Sequence, residues 1–265
     1  MPQPLSSVSP SSSPSFGSHS IRERGELAQQ MMQVLSYWTH IDGNLTFLFS
    51  RLLQADVRAG AAVFDSLQTT PARKAALFAA ANSTLADWEC LAIKAVWNAT
   101  AASRKQRNVF AHQIAGIAPE LPHAILLAPP EVITEVNLSH RMPERYLNDG
   151  TRVLAPKPLD FKRISVWHEK DVRGAVEAAE HADLLFGLLS RTVGYQPIEQ
   201  VRRDLLNDSA FRRAIEPLAA KANDLVQQQL APPGDDPPAP GISRTWDENL
   251  GRDMKLWESR HFRNN

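Results

Sequence analysis

A single cysteine, Cys90, is the whole thiol content of this 265-residue chain. One thiol closes no intrachain disulfide and builds no cysteine-type zinc site, so the expected setting is a reducing cytoplasm. No apolar run approaches the roughly 20 residues that a membrane-spanning helix needs, and the longest, around 75–81 and 124–129, are core-sized. The first twenty residues hold nine Ser and four Pro but no apolar signal region, and 1–20 read as a disordered tail. The five Asn-x-Ser/Thr triplets, at Asn44, Asn82, Asn98, Asn137 and Asn207, therefore carry no secretory meaning. Charge of one sign is missing too: 29 Lys+Arg balance 29 Asp+Glu. That balance excludes a protein that coats nucleic acid or an anionic membrane. Finally, no Gly-rich phosphate loop, GxSxG elbow, HExxH or calcium loop occurs, and the eight His lack metal-ligand spacing. Neither a metal nor a cofactor is expected.

One absence is local and points the other way. Between Glu89 and Glu120 there is no acidic residue, while Lys94, Arg104, Lys105 and Arg107 are all basic. An anionic partner would be drawn to this element. Within it lies Arg107-Asn108-x-x-x-His112.

The rest of the chain supplies a mainly α-helical frame. Leu27, Met31, Leu35, Trp38, Ile41, Leu45, Leu48 and Leu52 repeat at intervals of three and four, which predicts one long helix from Arg22 to about Leu53 running through Asp42-Gly43. Two Ala-rich helices are expected at Asp56–Leu67 and Pro71–Leu85, opened by Asp56 and Pro71. Ala86 to about Ile114 reads as one helix with two apolar faces. The face through Cys90, Ile93, Trp97 and Ala101 continues into Arg104, Asn108 and His112, and it is the expected face for self-association. Short β-prone runs at His123–Ala128, Val132–Asn137, Thr151–Leu154 and Arg163–Trp167, with a turn at Asn148-Asp149-Gly150, predict a small antiparallel insertion at about 122–168. Helical periodicity returns at Asp171–Val193, and a helical extension follows at 195–230. Five Pro fall within 231–240, a linker, before Trp246, Leu250, Met254 and Trp257 at helical spacing suggest a docking helix for a protein partner.

Arg107-Asn108-x-x-x-His112 on a helix resembles the signature of the HEPN superfamily, and the order of helices over roughly 21–194 is similar to its bundle. The resemblance implies a metal-independent endoribonuclease acting as a homodimer on RNA. Arg107 would bind phosphate and stabilise the transition state, His112 would move protons, and Asn108 would support them. Arg104 and Lys105 would bind substrate. The toxin branch of the superfamily carries Tyr two positions after its His, where this chain has Ile114, so that role is not carried over.

The chemistry suits those residue types. Cleaving RNA through its own 2′-hydroxyl needs proton transfer near neutral pH and a fixed cation for charge on phosphorus, which His and Arg supply. Asn108 and His112 share a helix face, where the amide could fix the ring tautomer, whereas Arg107 and His112 diverge by about 140°. Asp42, on the edge of the first apolar stripe, needs a partner, with Arg107 and His112 as candidates. The alternative function is a non-catalytic helical module that binds nucleotide or protein through the same basic cleft.

Overall fold

The computed structural model describes residues 2–141, 158–193 and 199–231. These residues are mainly α-helical, with a small antiparallel sheet. No helix among them is long and apolar enough to cross a membrane.

Two short elements lead, β1 (Gln3–Pro4) and α1 (Leu5–Val8), followed by β2 (Ser15–Phe16) and α2 (Ser18–Glu23). Then comes the long α3 (Gly25–Leu52), which passes Asp42-Gly43 unbroken and buries Leu27, Met31, Trp38, Ile41, Leu45, Leu48 and Leu52 as the stripe requires. Asp56 caps α4 (Val57–Ser66) by accepting from the backbone N–H groups of Arg58 and Ala59, and Thr69 caps α5 (Thr70–Thr84). A Cβ on Gly60 would lie 2.8 Å from the Ser50 Cα, so only glycine lets α4 approach α3 this closely.

The predicted Ala86–Ile114 helix is in fact two, α6 (Asp87–Ala99) and α7 (Ala101–His112). At the join, the Thr100 hydroxyl donates back to the Val96 carbonyl at 2.9 Å, a bond that competes with the helical ladder and bends it. Arg104 Nη2 donates to the Trp97 carbonyl at 3.0 Å and so satisfies an oxygen at the end of α6.

The sheet adds β3 (Ile114–Ile117), β4 (Ala124–Ala128) and β5 (Ser165–His168), in the order β1-β5-β4-β3-β2 with every pair antiparallel. Its inward residues Ala115, Ile125, Leu127 and Trp167 join the helical core, while Ala124, Leu126, Ala128 and Val166 join a second core with Leu5 and Ile164. All five residues of β4 are buried, as befits a strand covered on both faces.

Three expectations fail at this level. Residues 2–20 are no disordered tail: Leu5 is fully buried, its N–H donates to the Ile164 carbonyl at 2.8 Å, and β1 and β2 close opposite edges of the sheet. The sheet therefore starts before 122 and draws on the N-terminus. Val132–Asn137 is helical, within α8 (Pro130–Arg141). Pro130 and Glu131 make a favourable first turn there, and Val132 and Val136 fall four apart on one helix face. The Asn148-Asp149-Gly150 turn, Thr151–Leu154, the 232–240 linker and the Trp246–Trp257 segment lie outside the described residues.

The third failure concerns self-association through Cys90, Ile93 and Trp97. All three are buried in the chain's own core: Cys90 donates to the Ala81 carbonyl of α5, and the Trp97 ring meets Phe78 edge-on at 6.1 Å. The helix α9 (Glu169–Thr192) lies along α3, and α10 (Glu199–Asn207), α11 (Ser209–Ala219) and α12 (Asp224–Leu230) follow it. Both α11 and α12 pack on α6, and the Arg202 guanidinium of α10 stacks 4.7 Å from the Trp88 ring centre. Thus α6 is the centre of its own bundle: α5 meets Cys90 and Trp97 on the face assigned above to a second subunit, and the extension at 199–230 adds further cover.

Candidate functional site

Helix α7 carries the site, and two inward contacts set its rotation. The indole N–H of Trp38 on α3 donates to Ser103 Oγ at 3.1 Å inside the core, and the Phe110 ring packs against Trp167 of β5 with centroids 4.7 Å apart. Ser103 and Phe110, seven residues apart, lie on one face. Lys105 and His112, two positions beyond each, point about 200° away. Both are exposed.

With Asn108 and Val109 they form one wall of an open groove of about 360 Å³, whose other wall is Pro129, Pro130 and Glu131 at the start of α8. Glu131 is held from behind by Arg163, whose Nη2 lies 2.6 Å from Glu131 Oε1. Gln113, just beyond α7, also lines the groove, and its Oε1 is buried without a hydrogen-bond partner.

Arg107 faces elsewhere. Its Nη2 lies 3.7 Å from Asp42 Oδ2, and its Nη1 donates to Asn108 Oδ1 at 3.1 Å. A guanidinium only donates, so the Asn108 carbonyl oxygen must be the atom turned toward it. Asn108 therefore serves Arg107, whereas the sequence reading had it fix the His112 ring. It also joins the Arg107 side of the helix to the groove that holds His112.

Asp42 sits between two arginines, with Arg73 Nη1 3.6 Å from its Oδ1. Arg73 is itself pinned: its Nε donates to the Leu67 carbonyl at 2.9 Å, its Nη2 lies 3.9 Å from Asp65, and its guanidinium stacks 5.2 Å from the Phe64 ring centre. Burial pushes the Asp42 carboxyl above the usual carboxylate range despite the opposing pull of Arg107 and Arg73. The partner predicted for Asp42 is thus Arg107, not His112. Arg73 was missed, because nothing in the Ala-rich run from Pro71 distinguishes an arginine that turns inward from one that faces water.

Arg104 is not a substrate ligand in this arrangement. Its guanidinium lies 4.1 Å from the Trp97 ring centre and 5.7 Å from that of Trp38, and it donates to the Trp97 carbonyl and to Thr100 Oγ1. Burial pulls its pKa down to about 10, against the pull of Asp42, so it is still a cation at neutral pH. Its work is to tie α7 to α6. Of the residues predicted for the site, Lys105, Asn108 and His112 share the groove, Arg107 and Asp42 form the adjoining ion pair, and Arg104 is structural. Among the described residues, no group of three or more His, Cys, Asp or Glu is placed to hold a metal ion.

A pH test follows from Asp42. Because its folded pKa lies above 3.8, the native state holds this proton more tightly than the unfolded chain. Its contribution to stability therefore falls as pH rises from 3.8 through the raised value, and above that value the half-exposed carboxylate carries the cost of its partial burial. Asp42→Asn is expected to raise the melting temperature at pH 7, by an amount that shrinks toward pH 4. Thermal melts of both proteins across that range check it, and a lower melting temperature for the variant at pH 7 would refute it.

Comparison of the chain with protein-family models, with curated proteins and with solved structures returns no match in any of the three.

Proposed function

We propose that the chain cleaves RNA by attack of the 2′-hydroxyl on the adjacent phosphodiester, as an HEPN-type ribonuclease with Arg107 and His112 as its catalytic residues. The observation that carries this reading is the arrangement of α7. An exposed His112 shares a groove with Lys105 and Asn108, and Asn108 hydrogen-bonds to an arginine anchored by Asp42. In the reaction the O2′–P bond forms and the P–O5′ bond breaks, leaving a 2′,3′-cyclic phosphate and a 5′-hydroxyl. One proton leaves O2′ and one reaches O5′, and His112 suits either transfer. Lys105 offers positive charge to the five-coordinate phosphorus from within the groove, and Arg107, which faces Asp42 in its own chain, would reach it by leaving that pair or across a pair of chains. One imidazole performs one transfer at a time, so a pair of chains would complete the set, through a surface other than Cys90, Ile93 and Trp97.

A second reading has its own support. Asp42 already occupies one edge of the Arg107 guanidinium, which suits a non-catalytic module that binds nucleotides through the groove alone. Incubating purified protein with mixed RNAs in EDTA separates the two. Fragments with cyclic-phosphate ends are expected, and RNA that is retained but uncut would favour the binding module.

A further inference from the structure

The groove beside His112 has more chemistry than phosphate binding needs. Its two walls also carry Val109 on one side and Pro129 and Pro130 on the other, three apolar side chains that can take a flat ring between them. The cation of Lys105 and the imidazole of His112 stand exposed on the α7 wall. The α8 wall ends instead in a carboxylate, Glu131, with Oε1 fixed by Arg163 at 2.6 Å. Fixing one oxygen orients the other, since a carboxylate has two acceptor atoms in one plane. Gln113 also lines the groove, with its Oε1 buried beneath the surface and unpaired.

The groove thus offers a cation on the α7 wall, apolar side chains on both walls and a carboxylate on the α8 wall, in a volume of about 360 Å³ that suits one nucleotide. We infer that it is a single-nucleotide subsite selective for guanine, with phosphate at Lys105 and His112 and the base edge on Glu131. Guanine alone among the four RNA bases places an N–H and an amino group side by side, and one carboxylate can accept both. Adenine and cytosine present an amino group beside an acceptor nitrogen, and uracil presents a lone N–H between two carbonyls, which a carboxylate repels. This deepens the RNA-cleavage reading by naming the base beside the scissile phosphate.

The test is equilibrium binding of GMP, IMP, AMP, CMP and UMP to the full chain by titration calorimetry. GMP is expected to bind about tenfold or more tighter than AMP, CMP and UMP, the range for a bidentate base contact. IMP, which keeps the ring N–H but lacks the amino group, should fall between. Glu131→Gln should remove most of the preference for GMP, because an amide cannot accept twice on one edge, while Lys105→Ala should weaken all five nucleotides by a similar factor. Glu131 is exposed, so the variant is expected to fold, and its melting temperature verifies this.

Equal affinities for the five nucleotides, no saturable binding at millimolar concentration, or an unchanged preference in folded Glu131→Gln would each overturn the subsite. Binding is read without turnover, so the two readings fail separately. A chain that selects GMP through Glu131 but never cuts RNA keeps the subsite and loses the nuclease. A chain that cuts RNA but binds the nucleotides alike loses the subsite alone.

Discussion

Leu5→Ala is expected to destabilise the protein by about 2–5 kcal/mol, the range for truncating a fully buried leucine in a core that relaxes only in part. Leu5 has no solvent exposure and packs among Ala118, Ala124, Leu126, Ala128, Ile164 and Val166 on the outer face of the sheet. Val8, Phe16, Leu121, Ile133, Leu159 and Phe161 pack on the same cluster and wall the cavity that the truncation would leave. The segment that carries Leu5 also closes both sheet edges, through Gln3 opposite Val166 and Phe16 opposite Gly116. The Phe16 ring lies where a Cβ on Gly116 would be, 2.4 Å from Phe16 Cδ1, so the two are fitted to each other. Urea unfolding of wild type and variant measures the difference. A change under about 0.5 kcal/mol, as for a surface substitution, would mean that the N-terminus contributes nothing to the fold.

That segment also marks where sequence reasoning ran out. Nine Ser and four Pro in twenty residues dilute the apolar content below what ordering ordinarily requires, yet one leucine and a handful of backbone hydrogen bonds anchor the segment. The partner is a sheet edge on either side, and composition does not record what a chain can dock onto. The helices were more legible, because α3, α5 and α9 each bury one stripe and the stripe is written at intervals of three and four. Helix α6 was legible as doubly buried but not as to its cover. It meets α5 and also α11 and α12, the last two more than a hundred residues later in the chain, and periodicity says that a face is covered without saying by what.

The site divides in the same way. The motif on α7 could be found because its residues are neighbours in sequence, and helical geometry places Lys105, Asn108 and His112 together. Arg73, Glu131 and Arg163 could not, since each arrives from a different element through tertiary packing. Arg104 shows the opposite error. A basic residue beside a motif reads as a ligand for phosphate, but two tryptophans and two oxygen acceptors had a prior claim on it.

His112→Ala and Arg107→Ala separate chemistry from architecture. His112 is exposed at the end of α7, so its removal should leave the melting temperature unchanged while RNA cleavage falls about 10²-fold or more, the loss expected when general acid–base transfer is deleted. Arg107→Ala should also abolish most cleavage, but not silently. It takes one of two cations from a carboxylate that burial already penalises, so the melting temperature at pH 7 should fall. Adding Asp42→Asn to Arg107→Ala removes the stranded charge and should recover that stability without recovering cleavage. Melting temperature and cleavage rate measured on the same preparations of the three variants decide the matter. If the double variant regains activity together with stability, Arg107 acts only by holding Asp42, and its catalytic role is withdrawn. If His112→Ala melts early and cuts as wild type does, His112 is structural and its proton-transfer role is withdrawn; only wild-type protein that never cuts RNA, beside two destabilised variants, ends the ribonuclease reading.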